Sequence, residues 1–176
     1  MLYDEHDIIV KAIDIAKQAK LLIGKDDTLY EGLIRQLINF FRSYADRYHH
    51  YKEEEILFPE MSKRNELLAD GVIQEMLDNH EDFRGMIRNI EKKLDASEFL
   101  ETQKILETYA EALLDHIAVE NDEVFQMAET IFSDNELEKM GHRFLDCDRD
   151  LGDQQKKDLQ TLVASLRTQL YLKSDL

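Results

Sequence analysis

Apolar residues recur at helical spacing along most of the chain, and this pattern predicts a series of long helices. The first predicted helix covers residues 4 to 23, with Ile9, Ile13, Ala16 and Ile23 on one face. Thr28 and Glu31 have the spacing of a capping box and are expected to open the second helix. That helix extends to about residue 58, where Pro59 predicts an end or a kink.

Two further helices complete the first three quarters of the chain. The third is predicted over residues 72 to 94, and Ile73, Met76, Phe83, Ile87 and Ile90 lie on its apolar face. The fourth runs from about residue 97 to 132, and its apolar face carries Leu106, Tyr109, Leu113, Val124, Met127 and Ile131. Four long helices with short connections predict an all-α fold, an antiparallel up-down four-helix bundle over residues 1–132.

The remaining residues, 133–176, predict two additional C-terminal helices. Ser133 and Glu136 have the spacing of a capping box, and Gly152 is expected to end the helix that they open. The last helix has an apolar seam made of Leu159, Leu162, Val163, Leu166 and Leu170. This extension is expected either to pack on the bundle or to pair with a second copy in a homodimer.

Composition narrows the possible partners and compartments. Six glycines and one proline in 176 residues are few, which agrees with long helices. The net charge of −16 makes nucleic acid and anionic membranes unlikely partners, because both are bound by Lys and Arg. Cys147 is the only cysteine, which excludes an internal disulfide and a cysteine metal cluster within one chain. No long apolar stretch or basic leader is found, so a cytoplasmic location is expected.

Ionisable residues lie on the faces that are predicted to be buried. Each of the four bundle helices carries one histidine there, and two of these histidines are followed four residues later by glutamate; the set is His6, His49, Glu53, His80, His116 and Glu120. Residues i and i+4 share one side of a helix, so each such pair offers an imidazole and a carboxylate to one point. A single core histidine is most often simply hydrogen-bonded, but burying six such groups is costly unless they pair or bind metal.

Carboxylates that bridge two ions, with imidazoles completing each shell, make this set suitable for a two-metal site. The other His-x3-acid pairs are interpreted differently. His50 and Glu54 align with the polar residues Asp46 and Arg47, so they are expected to be a solvated pair. His142 and Asp146 lie off the apolar face of their predicted helix and are likewise expected at the surface.

These motifs resemble those of the hemerythrin-like, or HHE cation-binding, family over residues 1 to 130. The run from His49 to Pro59 is similar to the second-helix motif His-x3-Glu-Glu followed by Leu-Phe-Pro, and the run from His116 to Phe125 resembles the fourth-helix His-x3-Glu motif. The pair Glu5-His6 resembles the first-helix ligand, and His80 with Arg84 one turn later resembles the third helix.

The resemblance implies two iron ions joined by an oxo or hydroxo bridge, although the ligand types alone also suit manganese or zinc. His6 and His49 are expected to hold one ion and His80 and His116 the other, with the two glutamates bridging. Oxygen-carrying members have a fifth histidine where this chain has Arg84. The missing ligand implies open coordination positions and favours reaction with dioxygen, nitric oxide or peroxide.

The function expected from the resemblance is therefore a non-haem diiron protein that binds or senses dioxygen or nitric oxide, with or without redox activity. Two alternatives stay open at this point: an iron storage or delivery protein, and a metal-free helical interaction module. Tyr48 and Tyr109 are expected to be core aromatic residues rather than partners of a bound ligand. Arg84 is expected to pair with a carboxylate.

Overall fold

The computed structural model describes residues 1–174, without the side chains of residues 151 and 171–174. This part of the chain contains no strand, which confirms the all-α prediction. Its six long helices are α1 (Leu2–Gln18, extended by a 3₁₀ turn Ala19–Leu22), α2 (27–64), α3 (Val72–Asp95), α4 (99–131), α5 (Asp134–Leu151) and α6 (Asp153–Ser174). A single helical turn, Glu66–Ala69, lies between α2 and α3.

Helices α1 to α4 form the predicted up-down bundle. Helix α1 packs against α2 and α4, and α3 packs against the same two helices, so the four form a closed ring. The connections between successive helices are short, which makes neighbours in sequence antiparallel. No helix among residues 1–174 is both long and apolar enough to cross a membrane.

The C-terminal helices pack on the bundle of the same chain. Helix α5 contacts α2, and α6 contacts α1 and α2. Four α6 residues are buried in the same apolar cluster as residues 9–22 of α1 and its 3₁₀ turn and residues 30–48 of α2; they are Leu159, Val163, Leu166 and Leu170. The predicted seam is therefore covered within one chain, and a homodimer through these helices stays a prediction.

The ends of the helices differ from the sequence prediction at two places. Helix α2 is capped by Asp26, whose carboxylate accepts a hydrogen bond from the Leu29 N–H at 3.0 Å, so the predicted capping box at Thr28 is wrong. Pro59 does not end α2, because it stands in the first turn after a π-helical segment, where the backbone hydrogen-bonding pattern is already shifted. The capping box at Ser133 and the stop at Gly152 are both confirmed.

Three segments of the bundle are π-helical rather than α-helical. They are Phe41–His50 and Glu53–Leu57 in α2 and Glu120–Val124 in α4. A π-helix bonds residue i to residue i+5, and such wide turns occur frequently at functional sites. Two of the segments begin at the predicted core residues Glu53 and Glu120, and the third ends at His50, next to the predicted core residue His49.

The core is divided into two apolar clusters. On α1, α2 and α3 the cluster near one end and the cluster near the other are separated by the buried histidine, and on α4 the change lies between Ile117 and Val124, around Glu120. On α1, for example, Leu2 belongs to one cluster, Ile9 belongs to the other, and His6 lies between them. The bundle thus places a polar layer between two apolar layers.

Candidate metal centre

The six residues predicted from the sequence lie together in this polar layer. Each has a side chain no more than 3% exposed: His6, His49, Glu53, His80, His116 and Glu120. The four-helix ring explains their convergence, since each helix turns its buried face toward the same axis. The two carboxylates are fully buried, which makes the groups around them decisive for their charge.

Glu120 is surrounded by three imidazoles. Its Oε2 lies 3.2 Å from His6 Nε2, and its Oε1 lies 3.2 Å from His116 Nε2. His80 Nε2 is 3.8 Å from Glu120 Oε1 and 3.1 Å from His116 Nε2. Nitrogens that bind one ion at right angles with bonds of about 2.1 Å are about 3.0 Å apart, so the last two imidazoles have the spacing of neighbouring ligands.

Glu53 occupies the opposite side of the centre. Its Oε1 lies 3.3 Å from His49 Nε2, and its Oε2 lies 3.7 Å from His80 Nε2. Both glutamates therefore face imidazoles from more than one helix. This is the placement that a bridging carboxylate requires.

Two of the four imidazoles are held from outside by carboxylates. The outward Nδ1 of His49 lies 3.1 Å from Glu5 Oε2, and that of His80 lies 2.7 Å from Glu54 Oε1. A carboxylate on the outer nitrogen fixes the tautomer and makes the inner nitrogen a stronger donor to a metal. Both rings are thereby oriented with Nε2 toward the glutamates.

The other two imidazoles are held by amides. His6 Nδ1 lies 2.8 Å from Asn121 Oδ1, and His116 Nδ1 lies 3.5 Å from Asn79 Nδ2. Each amide residue is next in sequence to a member of the central set, since Asn79 precedes His80 and Asn121 follows Glu120. In all four rings, therefore, Nδ1 contacts a polar side chain outside the centre and Nε2 points into the centre.

Several inward-facing atoms of the centre make no hydrogen bond. They are both carboxylate oxygens of Glu53, both of Glu120, and Nε2 of His6 and of His49. An unsatisfied buried polar atom costs about 1 to 3 kcal/mol, and a charged group costs more. Cations between these atoms would remove that cost, so the donor set fits metal ions.

The electrostatics of the pair of glutamates also favour cations. Burial and the neighbouring Glu120 raise the pKa of Glu53 well above its ordinary value. Burial opposes the charged form of Glu120 as well, but the imidazoles of His116, His6 and His80 hold the pKa of this carboxyl well below its ordinary value. Two adjacent buried carboxylates repel each other, and positive charge between them lets both ionise.

The donor atoms fall into two groups that can each hold an ion. In each group, one ligand atom of every residue lies within 4.8 Å of the others. The first group consists of His6, His49, Glu53 and Glu120. His50, His80 and His116 supply the second under the same limit. The division agrees with the predicted pairing of His6 with His49 and of His80 with His116, and it adds His50.

The prediction that His50 is solvated is wrong. Its side chain is buried, and its ring stacks on that of His80 with centroids 3.8 Å apart and planes 9° apart. Glu54 is half-buried and bonded to His80 and Arg84, so it is not a solvated partner of His50 either. The sequence analysis assumed an α-helix, whereas Phe41–His50 is π-helical and both His49 and His50 face inward.

Other predictions about nearby residues can be compared with the structure. His142 and Asp146 are exposed as expected. Arg84 pairs with two carboxylates, donating to Asp46 Oδ1 at 2.6 Å and to Glu54 Oε1 at 2.7 Å. Tyr109 packs edge-on against Phe41 and Phe83 in the core.

A buried charge cluster lies directly outside His49, and the sequence analysis did not find it. Glu5 Oε1 accepts hydrogen bonds from Lys52 and Lys156 at 2.5 Å each, and the same two ammonium groups reach Asp148 at 2.6 and 2.5 Å. Burial alone would raise the pKa of Glu5, but His49 and the two lysines lower it to about 2. Helix α6 thereby contacts Glu5, the residue that holds His49, and Asp148 of α5 contacts both lysines.

A cavity of about 410 Å³ lies against one side of the centre, with His50 and His80 in its wall. The aromatic side chains of Phe41, Phe83 and Tyr109 line it together with arginines from α2 and α3. Two imidazoles of the second group, those of His50 and His80, thus lie at the wall of a cavity.

Comparison with curated proteins and with solved structures finds no match to the chain. A family model does match, and it extends over most of the sequence. The matched family is described as the hemerythrin HHE cation binding domain, and the match spans residues 1–128, which include the whole polar layer. The chain therefore belongs to the hemerythrin HHE cation-binding family, as its motifs predict.

Proposed function

We propose that this protein is a non-haem diiron protein that binds or senses dioxygen or nitric oxide. The observation that carries the proposal is that the fully buried oxygens of Glu53 and Glu120 make no hydrogen bond although imidazole nitrogens from all four helices face them. His6 and His49 would hold one ion, and His80 and His116 the other. Glu53 and Glu120 would bridge the pair.

Imidazole and carboxylate ligands suit iron, manganese and zinc alike, so the choice of iron depends on the resemblance of the motifs. The chemistry that such a centre would supply, with ferrous iron bound, is electron donation to a small ligand such as dioxygen, nitric oxide or peroxide. The protein's part is to keep Glu120 ionised and the imidazoles oriented, while Glu53 would ionise as the cations bind. Glu5 and Glu54 contribute to this, because a carboxylate on the outer nitrogen makes an imidazole a stronger donor.

The surroundings of the centre leave room for a small ligand beside an imidazole. The bulky residues Phe83 and Tyr109 line the cavity beside His80, and Tyr109 is fully buried. A diatomic molecule needs little of the 410 Å³ that the cavity offers. The apolar layers above and below the centre keep bulk water from it.

The proposal is tested by loading metal-free protein with ferrous iron under anaerobic conditions and measuring iron per chain. Two iron ions per chain are expected, followed by a new absorption band when dioxygen or nitric oxide is added. A stable, reversible band supports binding or sensing. Less than one iron per chain, or two irons with no spectral response to either gas, contradicts the proposal.

Matched variants on α2 sharpen the test. His49→Ala and Glu53→Ala are each expected to reduce bound iron strongly, because each removes a buried donor. Glu55→Ala is the control, since Glu55 is exposed on the same helix two residues from Glu53. Equal loss of iron in all three variants would show that the assignment of the ligands is wrong.

A further inference from the structure

His50 is a buried imidazole that the predicted ligand set does not include. Its side chain is 3% exposed, and its Nδ1 makes no hydrogen bond. The closest acidic atom to this nitrogen is Asp46 Oδ1 at 3.7 Å, which is beyond hydrogen-bonding distance. A core histidine of the ordinary kind would have this nitrogen satisfied.

The backbone of α2 explains why two successive histidines face the centre. The segment Phe41–His50 is π-helical, and the N–H of the next residue, Tyr51, bonds to the carbonyl of Asp46 five residues earlier. Successive side chains in such a wide turn are separated by a smaller angle than in an α-helix. His49 and His50 are both buried as a result.

The position of the His50 ring is that of a neighbour of the second ion. Its plane is parallel to that of His80, and its centroid lies 5.9 Å from that of His116. One nitrogen from each of the three rings lies within 4.8 Å of the others. Nitrogens that bind one ion with bonds of about 2.1 Å lie roughly 3.0 to 4.2 Å apart. A movement of up to about 2 Å, in which the His50 ring turns out of its stack on His80, closes the set.

The charges around His50 are compatible with a neutral, metal-binding imidazole. The groups that face it are Asp46 and His49 on its own helix, His80 of α3 and His116 of α4. The ring of Phe83 lies 6.3 Å away. Asp46 is already engaged, since Arg84 donates two hydrogen bonds to it. The His50 imidazole therefore has no strong competing partner.

We propose that His50 is a fifth imidazole ligand of the metal centre and that it binds one divalent transition-metal ion together with His80 and His116. This inference rests on the proposed function, because it needs the same pair of ions. The two ions then have different shells: three imidazoles surround one and two surround the other. The second helix thus supplies an imidazole to each ion.

The inference is tested by nitrogen NMR of the unaltered protein, labelled with ¹⁵N in its histidine rings and titrated with Zn²⁺. The sequence contains six histidines, and the exposed His142 serves as an internal control. With two zinc ions bound, five histidines are expected to show a metal-bound ring nitrogen, and His142 is expected to show none. Four metal-bound histidines at that stoichiometry overturn the inference while leaving the proposed centre in place.

A variant pair supplies a second measurement. His50→Ala is expected to retain one zinc ion and to bind the second at least 100-fold more weakly than the wild type, while His142→Ala binds both normally. A His50→Ala protein that binds two ions within threefold of wild-type affinity overturns the inference. A wild-type protein that binds no ion contradicts the proposed function instead, so the two failures are distinguishable.

Discussion

Lys156→Met is expected to destabilise the fold and to weaken metal binding, although Lys156 lies far in sequence from the metal centre. This lysine of α6 donates hydrogen bonds of 2.5 Å to Glu5 and to Asp148. Glu5 in turn accepts from His49 Nδ1. The substitution therefore acts on the metal centre through the carboxylate that orients a ligand.

The size of the effect follows from the charge balance of the cluster. Two lysines and two carboxylates alternate in it, and three of the four side chains are less than 10% exposed. Removing one ammonium leaves a buried negative charge uncompensated, which typically costs about 3 to 5 kcal/mol. Because Lys156 is 15% exposed and Lys52 still contacts both carboxylates, we expect the lower end, about 3 kcal/mol.

For a chain of this length that loss lowers the melting temperature by about 6 to 12 °C. Loss of the outer partner of a ligand typically reduces metal affinity by about 10- to 100-fold. Because Lys156→Met leaves the partner Glu5 in place, we expect a reduction of up to about 10-fold. Both quantities are measurable on the same preparations. Urea unfolding of the metal-free protein gives the stability change, and competition for Zn²⁺ with a chromophoric chelator gives the affinity.

Two further variants make the reasoning refutable. Lys157→Met is the control, because Lys157 is the exposed neighbour on the same helix. Adding Asp148→Asn to Lys156→Met restores the charge balance and is expected to recover about half of the lost stability. A Lys156→Met protein within 1 kcal/mol of wild type, or a double variant less stable than Lys156→Met, would refute the argument.

Three other substitutions test separate features. Glu54→Gln removes the carboxylate that faces His80 and is expected to lower zinc affinity about 10- to 100-fold in the chelator competition, whereas unchanged affinity would argue against that role. Burial raises the pKa of Tyr44 to about 12, so the unfolded state loses this proton first and the free energy of unfolding falls between pH 10 and 12. Tyr44→Phe should therefore reduce the slope of unfolding free energy against pH, measured with urea, by up to about 1.4 kcal/mol per pH unit in that range. An unchanged slope would contradict this. Gly152 has φ +105°, a conformation that an alanine adopts only with strain. Gly152→Ala should therefore lower the free energy of unfolding in urea by about 1 to 3 kcal/mol and leave the metal content unchanged. A variant as stable as the wild type would show that the turn is not strained.

The helices and the faces they bury could be predicted from periodicity. In α3, the residues Met76, His80, Phe83 and Ile87 follow an α-helical stripe, and all four are buried where the pattern places them. The same reasoning placed one histidine on the inner face of each bundle helix. It worked because most of the bundle has the regular α-helical period on which such patterns depend.

Other features could not be predicted because the period changes inside α2. The π-helical turn brings His50 to the inner side, and no residue type at positions 41 to 50 signals that turn. Lys52 has a charged side chain with no exposed area, which a hydropathy pattern assigns to the surface. Its burial depends on Glu5 and on Asp148 of α5, two carboxylates that are distant in sequence.

The π-helical turns of α2 and α4 both lie where the helix passes the polar layer. In an α-helix, two successive side chains point about 100° apart, so they do not both point at the axis of the bundle. In α4 the π-helical segment begins at Glu120, which faces the centre, and the next residue, Asn121, reaches His6. In α2 the corresponding pair is His49 and His50. The regular helices α1 and α3 already supply a ligand and an outer partner from adjacent residues, Glu5 with His6 and Asn79 with His80. The π-helical turn of α2 adds something different, because it turns two successive imidazoles toward the layer.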